Sequence, residues 1–243
     1  MSTQISELAE AGKLVAGAQP DWRSLATIID HTLLLPEITR QQIETLCQEA
    51  VQYGFACVFV NPTHAALAVS LLSGSSIKVG VPIGFPLGAS LTTSKRQETL
   101  DTLRLGAQEF DMVMNIGALK SGDRDVVLND IKSVAEVVHD AGAILKVIIE
   151  SSLLTIEEKI IACELSLLAR ADFVKTNTGF LVGGATIDDV ALMRGVVGDR
   201  AGVKASGGLH TLNDVLATIH AGANRIGTSS GLAIMRELGA PST

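Results

Sequence analysis

Short apolar runs rich in Val, Ile and Ala recur along the chain at an even spacing. They are ATIID ending at Asp30, ACVFV at Val60, IKVGV at Val81, EFDMVMN at Asn115, ILKVIIE at Glu150, ADFVKT at Thr176, AGVKAS at Ser206 and NRIGT at Thr228. Runs this short and continuously apolar suit strands buried on both faces. Between them, residues 39–53, 94–105, 125–140, 156–169, 186–197 and 212–220 carry apolar positions at helical spacing. Punctuation agrees with this division: Asn61-Pro62 opens the second helical segment, Thr155 precedes the acidic pair Glu157 and Glu158, and Gly54, Gly106, Gly142 and Gly222 stand just past helix ends.

Eight strand candidates in 243 residues give a repeat of roughly thirty residues, the length of one strand-helix unit. The pattern predicts an α/β fold, a closed (β/α)8 or TIM barrel forming a single domain over 1–243. Residues 1–24, helical in composition, are expected as an extra N-terminal helical segment that closes the bottom of the barrel or covers its side. An open doubly wound sheet is the rival, but its nucleotide-binding forms carry a G-x-G-x-x-G turn after the first strand, and here Asp30 is followed by HTLLLP.

Composition narrows the partners. Hydrophobic residues make up 47% of the chain and aromatics only 3%, as expected for aliphatic strands covered by helices. A net charge of −7 without any basic block disfavours a nucleic-acid surface, so an anionic ligand needs a local positive pocket. Cys47, Cys57 and Cys163 lack C-x-x-C spacing, the amino terminus lacks a basic-then-apolar signal pattern, and no apolar run is long enough to cross a bilayer. The expectation is a cytoplasmic protein with reduced thiols and no membrane contact.

Ionisable residues inside parallel strands must be paired or must serve chemistry. Five stand out: Asp30, Asp111, Lys146, Lys175 and Lys204. In a barrel of this kind catalytic groups come from the C-terminal ends of several strands. A structural ion network would account for any one of them; together they form a compensating cluster in which one lysine amine can shed its proton because other cations lie close. A neutral amine is a nucleophile toward a carbonyl. Lys175 and Lys204 fall at the same end of adjacent strands, and either satisfies this reasoning. The small polar turn TNTG after Lys175 leaves room for a substrate and favours Lys175, with Asp111 held ionised by Lys146 and relaying protons through water.

Two glycine-rich loops follow. SGGLHT, residues 206–211, comes after the seventh strand, and GTSSG, residues 227–231, after the eighth. Such loops, in the slots where barrels commonly hold phosphate, offer backbone amides to an anion, and Gly179 can add another.

The segments IDHTLL, VFVNP, VGVPIGFPLG, EFDMVMNIGALKSGD, LKVIIE, ADFVKTNTGF, VKASGG and IGTSSG, in this order along nearly the whole chain, resemble the deoxyribose-phosphate aldolases. The resemblance implies a class I aldolase that reversibly splits 2-deoxy-D-ribose 5-phosphate into acetaldehyde and D-glyceraldehyde 3-phosphate with no metal or organic cofactor. By position, it implies Lys175 as the imine-forming residue and Asp111 and Lys204 as proton-transfer groups. Gly179, Gly207, Gly208, Ser229 and Ser230 match phosphate positions, with Gly227 opening the same loop; Asp30 and Thr32 match positions near the sugar hydroxyls, and Lys146 belongs with them at the substrate. A small phosphorylated sugar is the expected partner, and a homodimer or homotetramer the expected assembly.

The chain departs from some members in three places. Phe180 stands where some carry a basic residue, His210 where some carry Arg, and the chain ends in GAPST where some end in a tyrosine. His31, His64, His139, His210 and His220 show no H-x-H or H-E-x-x-H pairing, which disfavours a zinc-dependent aldolase. Two other readings stay open on the residues: an isomerase or epimerase with Asp111 as base, and a phosphometabolite-binding barrel whose buried charges are structural.

Overall fold

In the computed structural model, which describes residues 20–241, the eight apolar runs are parallel strands closed into one barrel in sequence order. The elements are α1 (Trp22–Ala26), β1 (Ile29–Leu33), α2 (Arg40–Tyr53), β2 (Cys57–Val60), α3 (Ala65–Leu71), β3 (Lys78–Ile83), α4 (Thr92–Arg104), β4 (Glu109–Val113), α5 (Ile116–Lys120) and α6 (Arg124–Asp140). They continue with β5 (Ile144–Ile148), α7 (Ile156–Leu168), β6 (Phe173–Lys175), α8 (Ile187–Val197), β7 (Gly202–Ser206), α9 (Leu212–His220), β8 (Arg225–Thr228) and α10 (Gly231–Glu237). β8 pairs with β1 and closes the ring. Of the expected N-terminal segment, residues 1–19 lie outside the described residues; Asp21 caps α1 by accepting from the amides of Arg23 and Ser24. No helix among the described residues is long and apolar enough to cross a membrane.

The outer helices begin where the chain supplies oxygens for their free amides. Thr39 with Gln42, Thr155 with Glu158 and Thr211 with Asp214 form reciprocal caps on α2, α7 and α9, each such cap contributing about 1 kcal/mol. α2 and α7 end against Gly54 and Ala169, returning the chain to the bottom of the barrel.

Strand alternation then sorts the side chains. Val58, Val81, Phe110, Val147, Val174, Val203 and Ile226 are buried between strands and helices, while their strand neighbours Phe59, Gly80, Asp111, Lys146, Lys175, Lys204 and Gly227 face the interior. Register places Asp111 beside Lys146, Lys175 beside Lys204, and Asp30 beside Gly227.

Five strand ends differ from the sequence reading: β3 runs on to Ile83, β6 stops at Lys175, and three others have a visible cause. Asp30 does not close β1, which continues through Leu33 because His31 is buried outside the barrel against Phe55 and meets Glu49 of α2 at 2.8 Å. β4 stops at Val113 because the Asn115 side chain instead caps α5, accepting from the Ala118 amide. β5 stops at Ile148, and Glu150 turns the chain with a φ of 53°. α5 itself is too short to leave a helical period.

Candidate active site

The interior charges converge on Asp111. Its Oδ2 accepts from Lys175 Nζ at 2.8 Å and from Lys204 Nζ at 2.7 Å, and its Oδ1 accepts from Lys146 Nζ at 3.1 Å. Lys146 also holds Glu109, and Arg225 holds Asp30 at 3.0 Å and approaches Glu109 at 3.5 Å. Asp30 Oδ2 lies 2.5 Å from Lys204 Nζ, a charge contact without hydrogen-bond geometry. All of these side chains are buried.

The partners of each lysine separate their roles. Lys146 is in contact with three carboxylates, Asp30, Glu109 and Asp111, and Lys204 with two, Asp30 and Asp111. Among the described residues Lys175 has one ion partner, Asp111. The Lys175 pKa is accordingly lowered to about 8: burial is the main cause, Asp111 opposes it, and Lys204 and Lys146 push further down. Sequence reasoning credited neighbouring cations alone; desolvation is the larger cause. Lys146 moves the other way. Burial works against its charge, but Asp111, Glu109 and Asp30 outweigh it and raise its pKa. Burial likewise disfavours the Asp111 carboxylate, yet Lys146, Lys175 and Lys204 hold its pKa well below the usual range.

Beneath the amines lies an aromatic floor. The Phe59 ring centroid is 3.9 Å from Lys204 Nζ, 4.5 Å from Lys146 Nζ and 5.9 Å from Lys175 Nζ, distances at which a ring face attracts a cation. The ring fits because Gly80 sits beside it; a Cβ there would fall 2.4 Å from the ring. Sequence reasoning missed Phe59, Glu109 and Arg225. The two-residue strand period carried the signal, since Glu109 alternates with Asp111, and Arg225 with Gly227.

The loops after β6, β7 and β8 meet above Lys175. Gly207 and Gly208 have φ of 94° and 75°, conformations that turn successive amides without a side chain in the way. The Gly207 carbonyl accepts from the Ala185 amide at 2.9 Å, and Gly179 packs against the Gly207 Cα. The Thr228 hydroxyl donates to the Leu209 carbonyl at 2.7 Å and accepts from the Ser230 amide at 2.9 Å. His210 Nδ1 lies 3.2 Å from Ser230 Oγ, a second tie between these loops that the sequence did not show. Ser229 is exposed at the rim. Gly227 leaves space for the Lys204 stem, which a Cβ would approach to 2.9 Å. Thr32 stands apart, half-buried two residues above Asp30 on the same face of β1, its hydroxyl donating to the Asp30 carbonyl at 2.9 Å.

Asp30, Cys57 and Glu109 bring possible ligand atoms within 4.8 Å of one another. Both carboxylates are already held by Lys146, Lys204 and Arg225, and burial pushes the Cys57 thiol far above its ordinary pKa. This donor set suits ammonium and guanidinium groups rather than a metal ion.

Known proteins resemble the chain along most of its length. A family model described as DeoC/LacD family aldolase matches residues 24–237. Curated relatives named deoxyribose-phosphate aldolase include one from Streptococcus sanguinis, 56% identical over 208 residues and covering 86% of this chain and 94% of its own. Another, from Thermococcus gammatolerans, is 56% identical over 213 residues, covering 87% and 95%. Among solved structures, the tetrameric deoxyribose phosphate aldolase of Aeropyrum pernix superposes with a TM-score of 0.86 at 30% identity, over 96% of this chain and 97% of that one. The chain belongs to the DeoC/LacD family of aldolases, and its relatives there carry the name deoxyribose-phosphate aldolase.

Proposed function

We propose that this aldolase reversibly cleaves 2-deoxy-D-ribose 5-phosphate to acetaldehyde and D-glyceraldehyde 3-phosphate through an imine on Lys175. The observation that carries this reading is the Lys175 amine, buried, with its pKa lowered to about 8, on a carboxylate oxygen it shares with Lys204. At pH 7 roughly a tenth of such amines are neutral, and that fraction reacts with an aldehyde carbon, expelling water.

The protonated imine draws the electrons of the C2–C3 bond as the C3 hydroxyl gives up its proton, leaving an enamine on Lys175 and releasing glyceraldehyde phosphate. Protonation of the enamine at C2 and hydrolysis of the resulting imine release acetaldehyde and restore the amine. Asp111 stays ionised under three lysines, so it orients a water and steers protons rather than storing one, while Lys204 donates to the same oxygen that Lys175 uses. That same feature speaks against an isomerase, whose base must take and hold a proton.

The amides of Gly179, Gly207, Gly208 and Ser229 and the hydroxyl of Ser230 form the phosphate cradle, Gly227 opens its last loop, and Thr32 and Asp30 face the sugar hydroxyls. Lys146 anchors Asp111. The Aeropyrum relative is described as tetrameric, and a homodimer or homotetramer is the assembly proposed here.

Borohydride reduction in the presence of acetaldehyde, followed by peptide mass analysis, tests the imine. An ethyl adduct on Lys175 is expected; adducts confined to other lysines, or none, would overturn the mechanism.

A further inference from the structure

Two loops from non-adjacent strands meet across the mouth of the barrel. Phe85, after β3, and Phe180, after β6, pack edge to face with centroids 5.0 Å apart and planes at 80°. β4 and β5 lie between those strands, so the contact passes over the ends of the strands that carry Asp111 and Lys146. Each loop is fastened in that position. The first leans on β4, where Gly88 packs so closely that a Cβ would fall within 2.0 Å of the Met114 carbonyl. The second is laced to the loop after β5: Ser152 donates to Asn177 Oδ1 through its amide and its hydroxyl, at 3.2 and 3.0 Å, and the Thr178 amide donates to Glu150 at 2.9 Å.

The cradle formed by the β7 and β8 loops lies on the other side of Lys175. A substrate anchored there by its phosphate and joined to Lys175 at C1 holds C2 of its two-carbon end between Lys175 and the cradle, so a substituent on C2 meets the mouth of the barrel that the aromatic pair crosses. We propose that Phe85 and Phe180 form the apolar wall that fits this end, setting the size of the aldehyde that Lys175 accepts as nucleophile. The two rings are positioning residues with no part in proton transfer, and their role rests on the imine reading above. An edge-to-face pair is a firm wall because its geometry is preferred over neighbouring arrangements.

The test is the condensation reaction. D-glyceraldehyde 3-phosphate is combined with acetaldehyde or with propanal, and kcat/KM is measured for the wild type, Phe180→Ala, Phe85→Ala, the double variant and Phe180→Leu. The propanal-to-acetaldehyde ratio is expected to rise roughly tenfold in each alanine variant, the discrimination that one methylene commands in an apolar pocket. The double variant should gain little more than either single one, and Phe180→Leu, which keeps bulk, should stay near the wild type. A ratio unchanged in both single variants, while borohydride still traps acetaldehyde on Lys175, would overturn the wall alone. Failure of the wild type to trap acetaldehyde on Lys175 would overturn the imine reading and the wall with it.

Discussion

Lys175 and Lys204 are register partners on adjacent strands, and their amines grip the same oxygen, Asp111 Oδ2, at 2.8 and 2.7 Å. One carboxylate oxygen thus balances two amines, and among the described residues only Lys204 of the two has a second carboxylate, Asp30, within ion-pair distance. The choice of Lys175 as the proposed nucleophile rests on this unequal sharing rather than on the strand position of either residue.

The first prediction concerns pH. With the Lys175 pKa lowered to about 8, the neutral amine gains population as pH rises through that value, so the rate of acetaldehyde trapping should climb with pH and level off above it. Removing the cation in Lys204→Met should raise the Lys175 pKa and move the rising limb to higher pH. Trapping rates measured from pH 6 to 10 in wild type and variant read this directly; an unmoved limb would contradict it.

Asp111→Asn should cost both stability and rate. Three amines lose the negative charge they share, and breaking a buried pair from one side costs about 3–5 kcal/mol. A urea midpoint lowered at unchanged slope, by that free energy divided by the slope, is the expected result. The kcat/KM for cleavage should fall by roughly 10² to 10⁴, the scale of positioned proton transfer.

Gly80→Ala tests the aromatic floor. The added methyl collides with the Phe59 ring, and over-packing of this kind costs about 1–3 kcal/mol. Because the ring carries Lys204 and Lys146 on its face, activity should fall as well, and Gly80→Ala paired with Phe59→Leu should recover part of the lost stability. Wild-type thermal unfolding of Gly80→Ala would show that the ring is free to move aside.

His210→Ala tests the cradle. Loss of the tie to Ser230 should raise KM for 2-deoxyribose 5-phosphate by about 2-fold to 13-fold, the worth of one hydrogen bond of ~0.5–1.5 kcal/mol. Unphosphorylated 2-deoxyribose should be handled as by the wild type. Equal losses on both sugars would place His210 outside phosphate recognition.

Much of this was legible in the chain because strands buried on both faces tolerate few charges, so Asp111, Lys146, Lys175 and Lys204 announce themselves against Val and Ile. Their convergence was expected; the hierarchy among them was not, because it depends on distances to Asp30 and Glu109 that only the closed ring defines. Phe59 was hidden for a different reason: in an apolar run a phenylalanine reads as core, and only the register with Gly80 turns its face to the amines. The Phe85 and Phe180 pair joins residues far apart in sequence through two irregular loops, and no periodic pattern encodes such a meeting.

The floor and the amines above it also set a limit on charge. Among the described residues the ion-paired cluster inside the barrel holds four cationic groups, Lys146, Lys175, Lys204 and Arg225, against three carboxylates, Asp30, Glu109 and Asp111. With every group ionised the interior carries one positive charge too many; with Lys175 neutral it is balanced. In the proposed cycle the interior alternates between zero and plus one, neutral with the free amine or the enamine and positive with the protonated imine. The fixed residues are thus a frame tuned for one mobile charge, and any substitution that changes their count by one should favour one half of the cycle over the other.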